Sequence, residues 1–435
     1  MAELDADLVS IQEARSLAVA AKAAQKQFMA ADQAQVDRIC QAMVDAIMRD
    51  SARLAQLAHD ETGYGVTAHK TLKIEFAAKG VWDSIKDTPT VGVLRRDEAR
   101  GIIEIGWPVG VVVGLTPSTN PNSTAIFKVL ISVKARNAII VAPHPSAARA
   151  TYEAVRLMAE AGERAGMPKG LVSCMQNSTL QGSQELMKHH ATSLILATGG
   201  TPMVRAAHST GKPALGVGPG NVPVYVDRSA DVRAAAEAIV NSKSFDCSVI
   251  CATEQAVVAD APIAAQLRSE MAALGAYWVP PADKPALERL LFTSSGGMNP
   301  AAVGRTPQAL AAAAGIKVPQ RPGSSSSTSR RWAGTSPCRG RSSPPFSASM
   351  SPTGGGPAAS GPSSCSAMAA TATPWSSTPA TRTSSSPSAW RSRPSGSSST
   401  PGAPWAPSAR PPGSCPRSPS ARAGSAAPSS ATTSR

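Results

Sequence analysis

The sequence predicts an α/β fold in which a parallel sheet carries helices on both faces. Between residues 100 and 260, short apolar segments alternate with longer helical segments. The run at residues 109–115 is continuously apolar, as expected for a strand buried on both faces. Clusters of Gly, Pro, Asn and Thr separate the segments. This alternation is the signature of βαβ units and therefore of a parallel sheet.

The individual elements follow from periodicity and turn residues. Residues 8–60 predict helices, because Val36, Ile39, Met43 and Ile47 recur at helical spacing. Residues 101–117 predict a pair of strands. The later elements predicted in order are a helix at 125–137, a strand at 138–142, a helix at 147–165, a strand at 171–176, a helix through 186, a strand at 193–197, and helices at 231–245 and 262–275.

The composition changes sharply near residue 320. The 435-residue chain has a formal net charge of +14, and residues 321–435 contain 12 Arg without any Lys, Asp, Glu or His. The same tail contains no Leu, Ile, Val or Tyr. Without such side chains it cannot bury enough apolar surface to offset the entropy of ordering. We therefore expect residues after about 320 to be disordered or non-native, whereas residues 1–320 can bury a substantial core.

The residue types of the tail suggest a shifted reading frame. Ser, Pro, Ala, Thr, Arg, Gly, Trp and Cys all have C or G at the second codon position, and only Phe346, Met350 and Met368 depart from this rule. In a GC-rich gene, a slip moves the GC-rich third codon position into the second. The hypothesis is a frame change near residues 319–323. A genuine basic, disordered arm is the alternative.

Other features bear on the location of the protein. The N-terminus is acidic and lacks the apolar region of a secretory signal. No apolar run reaches the length needed to span a membrane. The cysteines of the body, Cys40, Cys174, Cys247 and Cys251, form no disulfide-like framework. These observations predict reduced thiols and a cytoplasmic protein.

Two glycine clusters are candidate ligand-binding turns. Gly199 and Gly200 follow a predicted strand and precede a helix, so the backbone there could approach a phosphate at the helix N-terminus. The spacing of the usual dinucleotide fingerprint is absent, and purely structural glycines are the alternative. For the second cluster, 216–220, a tight turn with positive φ values is at least as good an explanation as ligand contact.

Cys251 is a candidate nucleophile. It lies where an apolar, strand-like run becomes polar, which predicts a thiol at the end of a strand, where clefts form in α/β folds. A buried structural cysteine is the alternative. Cys247 lies four residues earlier, but no further ligands complete a tetrahedral set, so no metal site is predicted.

Two other polar residues follow predicted strands. Asn120 lies in a proline-bounded turn, where it either serves turn chemistry or donates its amide to a developing oxyanion. His144 follows the strand at 138–142, and its simplest interpretation is a solvated loop histidine.

Three long segments together resemble the coenzyme-A-acylating aldehyde dehydrogenases. They are GLTPSTNPNSTAIFKVLISVKARNAIIVAPHP, ILATGGTPMVRAAHSTGKPALGVGPGNVPVYVD and SKSFDCSVICATEQ. That family includes acylating acetaldehyde and sulfoacetaldehyde dehydrogenases and the aldehyde domain of bifunctional aldehyde–alcohol dehydrogenases. The resemblance runs through about residues 5–318.

The resemblance implies an aldehyde dehydrogenase fold with a Rossmann-like sheet. Residues 1–227 would form the nucleotide-binding domain, 228–318 part of the catalytic domain, and 319–435 a low-complexity tail. Cys251 would be the nucleophile, and the Asn120 amide with the Cys251 backbone N–H would stabilise the oxyanion. The residues implied to contact the cofactor are Thr116, Pro117, Ser118, His144, Gly199, Gly200 and Thr201.

The implied reaction is NAD-dependent oxidation of an aldehyde to an acyl-CoA through a thiohemiacetal and a thioester on Cys251. NADP is the alternative, because the sequence determines the choice between the two only weakly. Hydrolytic relatives use a glutamate as general base, whereas the corresponding stretch here, 216–219, has no carboxylate. This difference favours coenzyme A as the acyl acceptor. The implied partners are a small aldehyde and CoA, with neither nucleic acid nor membrane, and the intact family forms homo-oligomers.

The sequence departs from the family in two places. Cys247 stands where relatives commonly carry Asn. After residue 318 the family continues with a glutamate-bearing stretch, the rest of the catalytic domain and an oligomerisation segment, none of which the tail supplies. We therefore expect an incomplete pocket and little turnover from the chain as written.

Two alternative functions remain open at this stage. One is a nucleic-acid-binding protein with a basic tail, although a tail without Lys and with few aromatics is a poor stacking platform. The other is an aldehyde-dehydrogenase-like reductase of another substrate class. The sequence does not determine which aldehyde is used.

Overall fold

The computed structural model describes residues 5–294 and 296–318, together with the backbone of 331–333 and 350–353. The rest of the tail, on which the disorder and reading-frame predictions fall, lies outside the described residues. The helices are α1 (Ala6–Phe28), α2 (Gln33–Thr62), α3 (Thr67–Glu75), α4 (Val81–Ile85), α5 (Pro121–Lys134), α6 (Ala148–Arg164), α7 (Leu180–Lys188), α8 (Thr201–His208), α9 (Val232–Ser244), α10 (Ala261–Ala273), α11 (Lys284–Leu291) and α12 (Pro307–Ala313). The strands are β1 (Gly92–Asp97), β2 (Ile102–Gly106), β3 (Val111–Leu115), β4 (Ala138–Ala142), β5 (Val172–Cys174), β6 (Thr192–Thr198), β7 (Ala214–Val217), β8 (Pro223–Val226), β9 (Ala256–Asp260), β10 (Ala276–Trp278), β11 (Arg331–Ala333) and β12 (Met350–Thr353).

A five-stranded sheet with the order β5-β4-β3-β6-β7 forms the centre of the N-terminal part. All of its strand pairs are parallel, which confirms the predicted α/β class. β3 and β4 are buried along their whole length, so both of their faces are covered. The covering helices contribute large buried side chains, among them Phe28, Ile39, Met43 and Met158. This hydrophobic core extends from Ala14 to Ala207.

Two smaller cores follow in the chain. Residues 226–276 pack around β8 and β9, which belong to a parallel sheet of order β12-β9-β8. Residues 279–316 form a further cluster, and β10 pairs in parallel with β11. Within the part of the chain that the structure describes, no helix is both long and apolar enough to cross a bilayer.

The predicted strand pair at 101–117 was wrong in its partner. β2 pairs with β1 as an antiparallel hairpin, and β1 was not predicted from the sequence. β3 instead joins the central sheet. Gly110, with φ 123°, separates the two strands, and Val109 beside it is exposed. A left-handed turn at this point directs the chain from the exposed hairpin into the core.

The order of the central sheet creates a topological switch point. The chain moves outward from β3 through β4 to β5, and then returns to the opposite side of β3 as β6. The loops that follow β3 and β6 therefore diverge to opposite faces, and a crevice forms between them. Residues 116–120 follow β3, and residues 199–201 follow β6. This topology brings two of the sequence-predicted ligand turns to one edge of the sheet.

A buried lysine, Lys128, forms hydrogen bonds to two strands at the same edge of the sheet. The Lys128 Nζ on α5 donates to the backbone oxygens of Leu115, at 2.5 Å, and Leu196, at 2.7 Å. Burial lowers the pKa of Lys128 to about 7. Through these two hydrogen bonds the ammonium links the backbones of β3 and β6. Among the hydrogen bonds described, it has no carboxylate partner.

A second buried polar cluster joins α3 to the segment after α9. The carboxylate of Asp246 is fully buried and accepts a hydrogen bond from the Val66 N–H at 2.7 Å. Its other oxygen accepts from Lys70 Nζ at 3.3 Å and from Lys73 Nζ. The Asp246 N–H donates to His69 Nδ1 at 2.9 Å. One side chain thus holds a helix that lies more than 170 positions earlier in the chain.

The backbone beside this cluster is strained. Asp246, Cys247 and Ser248 have φ values of 50°, 51° and 64°. Each non-glycine residue in the left-handed region costs roughly 1–2 kcal/mol. The hydrogen bonds of Asp246 offset this cost, because they fix the segment against α3. Gly65 leaves the space that the carboxylate occupies, since a Cβ at residue 65 would overlap Asp246 Oδ1.

Gly63 and Gly65 offer a matched test of this packing. Their φ values are 66° and 69°, but only at Gly65 would a Cβ meet Asp246. We expect Gly63→Ala to lower the free energy of unfolding by about 1 kcal/mol, the cost of the left-handed conformation. Gly65→Ala should lower it by at least about twice that amount, because the carboxylate cannot move without losing its partners. Equal losses in urea titrations would contradict the packing described.

The free energy of unfolding should depend on pH through Lys128. Between pH 7 and 10 the unfolded chain binds more protons at this position than the folded chain, because burial has lowered the folded pKa to about 7. Stability should therefore rise with pH in this range. Between pH 7.5 and 8.5, Lys128→Met should reduce the slope by about 1 kcal/mol per pH unit in urea titrations. An unchanged slope would show that Lys128 titrates normally.

Candidate active site

Cys251 lies in a turn that precedes β9, and its side chain is exposed. The expectation that it ends a strand was therefore wrong. The left-handed residues at 246–248 prevent an extended conformation before it. The Val249 N–H donates a hydrogen bond to the backbone oxygen of Asp246 at 3.2 Å. A further turn bond joins the Thr253 N–H to the Ile250 oxygen. The turn presents the thiol at the surface, in contrast to the buried Cys40 and Cys174.

Asn120 points toward the segment that carries Cys251. It occupies the N-cap position of α5, yet its side chain makes no capping hydrogen bond. Instead, the Asn120 Oδ1 accepts from Lys73 Nζ at 2.6 Å, and its Nδ2 lies 3.4 Å from the Val249 oxygen. Turn chemistry therefore does not explain the side chain. Its amide is held between α3 and the turn at residues 249–253, which is called the cysteine turn below.

Lys73 is a site residue that the sequence analysis missed. Its side chain is only one-tenth exposed and contacts both Asn120 and Asp246. Burial lowers the pKa of Lys73 to about 8, while the charges of Asp246 and of a Cys251 thiolate act in the opposite direction. The thiol therefore lies within electrostatic reach of the ammonium. A small cavity beside Lys73 and Asn120 is also lined by Ile74, Thr119 and Ser123.

The second glycine cluster contacts this site at one end. A Cβ at residue 220 would lie 3.2 Å from the Cys251 backbone oxygen. Gly216 lies in β7 against α8, where a Cβ would lie 2.5 Å from Val204 and 2.8 Å from His208. None of the glycines at 216, 218 and 220 has a positive φ, so the predicted left-handed turn was wrong. Close packing explains Gly216, and proximity to the cysteine turn explains Gly220.

Six of the seven predicted cofactor residues follow β3 and β6, the two strands on either side of the switch point. Thr116 is buried at the end of β3, and its hydroxyl has no hydrogen-bond partner among the described residues. Pro117 and Ser118 follow it and are half-buried. An orphaned hydroxyl at a ligand crevice fits a position that a bound molecule would satisfy.

The glycine turn after β6 is open on the side of the crevice. A Cβ at Gly199 or Gly200 would meet its nearest neighbours at 3.6 and 3.7 Å, and neither φ is positive. Gly200 is the N-cap of α8 and supplies no side-chain cap, while Thr201 begins the helix and is exposed. Free N–H groups at such a helix start suit a phosphate.

His144 and Cys247 are less directly connected to this geometry. His144 is exposed after β4, and its Nδ1 accepts a hydrogen bond from the Ser146 N–H at 3.2 Å. Cys247 is half-buried, and burial raises the pKa of its thiol. Its left-handed backbone, with φ 51°, is a conformation that Asn adopts more easily than Cys.

Comparisons with known proteins identify relatives of this chain. The chain is 40% identical over 313 residues to the bifunctional aldehyde-alcohol dehydrogenase AdhE of Escherichia coli K12. The aligned region covers 72% of this chain and 35% of the relative. The chain thus spans about a third of the length of that relative.

Two solved structures are also similar. An acetylating aldehyde dehydrogenase from Geobacillus thermoglucosidasius is 45% identical, with a TM-score of 0.75 over 80% of this chain and 76% of that one. Propionaldehyde dehydrogenase of Rhodopseudomonas palustris, solved with bound CoA and an acylated cysteine, is 28% identical, with a TM-score of 0.68 over 78% and 76%. Residues 6–278 match the aldehyde dehydrogenase family, to which this chain therefore belongs.

Proposed function

We propose that this chain carries the active site of a CoA-acylating aldehyde dehydrogenase. Cys251 would be its nucleophile, and a nicotinamide dinucleotide would be its oxidant. The observation that carries the proposal is the meeting of an exposed cysteine turn with the amide of Asn120. These two groups come from distant parts of the chain, and their juxtaposition is what acyl chemistry at a thiol requires.

The first step is attack on the aldehyde. The Cys251 sulfur bonds to the carbonyl carbon, and the carbonyl oxygen becomes an oxyanion. The Asn120 Nδ2 and the Cys251 backbone N–H are the donors that would stabilise this oxygen. The contact of Nδ2 with the Val249 backbone oxygen, at 3.4 Å, is weak, so the amide hydrogens can turn toward the oxyanion.

The oxidation requires a hydride acceptor, which a bound nicotinamide dinucleotide supplies. The residues that fit such a group lie at the switch point: Thr116, Pro117 and Ser118 after β3, and Gly199, Gly200 and Thr201 after β6. The orphaned hydroxyl of Thr116 and the open helix start at Gly200 support this assignment. His144, after the neighbouring β4, belongs to the same proposed set. NAD and NADP both fit these residues.

The acyl group then leaves Cys251 as a thioester of CoA. The CoA sulfur bonds to the acyl carbon, the bond to the Cys251 sulfur breaks, and the thiol of Cys251 is restored. The stretch from Gly216 to Gly220 contains no ionisable side chain, although its end touches the Cys251 backbone. A thiol acceptor needs a general base less than water does, because thiolates form near neutral pH. CoA is therefore the acceptor that these residues favour.

The reading-frame hypothesis leads to a test of the tail. We expect DNA sequencing across codons 315–325 to show a slipped frame, and a chain with the frame restored after Val318 to reduce NAD when given both aldehyde and CoA. The chain as written should show little turnover, because the sequence of the tail lacks the glutamate-bearing stretch and the remaining catalytic segments that the resemblance leads us to expect. An unbroken frame in verified DNA, or full turnover of the chain as written, would contradict the hypothesis.

Acylation by an acyl-CoA tests the nucleophile in the full chain without any cofactor. Incubation with acetyl-CoA should transfer the acetyl group to Cys251 by thioester exchange, and peptide mapping by mass spectrometry should locate it there. Cys251→Ala should abolish this labelling. Cys247→Ala is the matched control and should retain it, since Cys247 is half-buried and Cys251 is exposed. Absence of the label from Cys251 in the unchanged chain, or undiminished total labelling in Cys251→Ala, would exclude Cys251 as the nucleophile.

A further inference from the structure

Lys73 identifies which end of the Asn120 amide faces it. An ammonium has three donors and no acceptor, so the Asn120 atom 2.6 Å from Lys73 Nζ is the amide oxygen. The amide nitrogen must then lie on the other side. It faces the Thr119 hydroxyl and the Val249 oxygen, both at 3.4 Å. One end of the amide is held tightly, and the donor end is only loosely engaged.

The ammonium also acts on the strength of that donor. A charge at the amide oxygen polarises the amide, which makes its N–H groups better donors, as in any chain of aligned hydrogen bonds. Lys73 is in turn fixed by Asp246, whose side chain is fully buried. Burial lowers the pKa of Lys73 to about 8, so most of the ammonium remains charged at neutral pH.

Lys70 provides a contrast within the same cluster. Its Nζ lies 3.3 Å from Asp246 Oδ2, and its side chain is even more buried than that of Lys73, with 4% against 10% exposed. The hydrogen bonds described for Lys70 do not include Asn120. The two lysines therefore share a structural role toward Asp246, but only Lys73 contacts the amide.

We propose that Lys73 is a positioning residue that orients and polarises the Asn120 amide for the oxyanion formed at Cys251. The inference rests on the proposed function, because it requires Asn120 to act on chemistry at that thiol. Lys73 does not touch the reacting atoms, and its effect passes through Asn120.

Two reagents applied to the full chain separate this role from a change in the thiol itself. p-Nitrophenyl acetate acylates a thiolate: the S–C bond forms through a tetrahedral oxyanion, and p-nitrophenolate leaves. Iodoacetamide alkylates the same thiolate by displacing iodide, without an oxyanion. The ratio of the two rate constants at Cys251, each corrected for the rate of Cys251→Ala, reports oxyanion stabilisation alone.

The inference makes a specific prediction for this ratio. Asn120→Ala should lower it about 100-fold, as for loss of an oxyanion donor, and Lys73→Met at least about 10-fold. The double variant should match Asn120→Ala, because the effect inferred for Lys73 passes through the Asn120 amide; a further loss in the double variant would reveal a direct effect of the ammonium charge. Lys70→Met is the matched control for the loss of one ion pair with Asp246 and should change the ratio less than about twofold.

The outcomes separate the inference from the proposed function. A ratio unaffected by Asn120→Ala overturns the role of Asn120 itself. A ratio lowered by Asn120→Ala but not by Lys73→Met overturns only the inference about Lys73. Effects that multiply in the double variant, or a loss in Lys70→Met equal to that in Lys73→Met, also overturn it. Should Lys73→Met fail to fold, Lys73→Gln takes its place with the same criteria.

Discussion

The candidate site depends on one buried carboxylate and the two ammonium groups around it. Asp246 is fully enclosed, and burying a charge without partners would cost several kcal/mol. Lys70, Lys73 and the Val66 N–H compensate for that cost. The same contacts hold α3 against the segment that precedes Cys251. The strained backbone that precedes the thiol is fixed by this cluster, and of the two lysines Lys73 also contacts the Asn120 amide.

Glycine has three different roles around the site, and its neighbours distinguish them. Gly216 is packed against α8, where any side chain would collide with that helix, so glycine is required for close packing of β7. Gly220 allows the chain to pass close to the Cys251 backbone. Gly199 and Gly200 have ordinary distances to their neighbours, so neither packing nor a positive φ demands glycine there. Gly200 is the N-cap of α8, a position that glycine favours, and the close approach of a ligand is the role proposed above for this turn.

Much of the fold could be predicted from the sequence, because it depends on local periodicity. The strand at 138–142 has the predicted bounds, and the neighbouring helices differ only by a few residues at their ends. The hairpin of β1 and β2 could not be predicted, because its exposed residues show no core-facing alternation. Its pairing depends on contacts between segments, which periodicity does not report.

The site was only partly predictable for the same reason. Asn120 and Cys251 belong to recognisable motifs, whereas Lys73 lies on a helix where a second lysine three residues away suggests a solvated face. Both lysines are buried because they form ion pairs with Asp246, which lies far away along the chain. The left-handed turn was equally hidden, because neither Cys247 nor Ser248 is a residue type that favours such a conformation.

The distance along the chain between Lys70 and Asp246, 176 positions, has a consequence for biosynthesis. A ribosome finishes every strand of the five-stranded sheet before it adds the aspartate. Closing so long a loop is entropically slow, and the contact rewards the chain only once it is made. A nascent polypeptide can therefore complete its first core while the two ammonium groups still face water. Assembly of the candidate site must therefore wait until residue 246 has been synthesised.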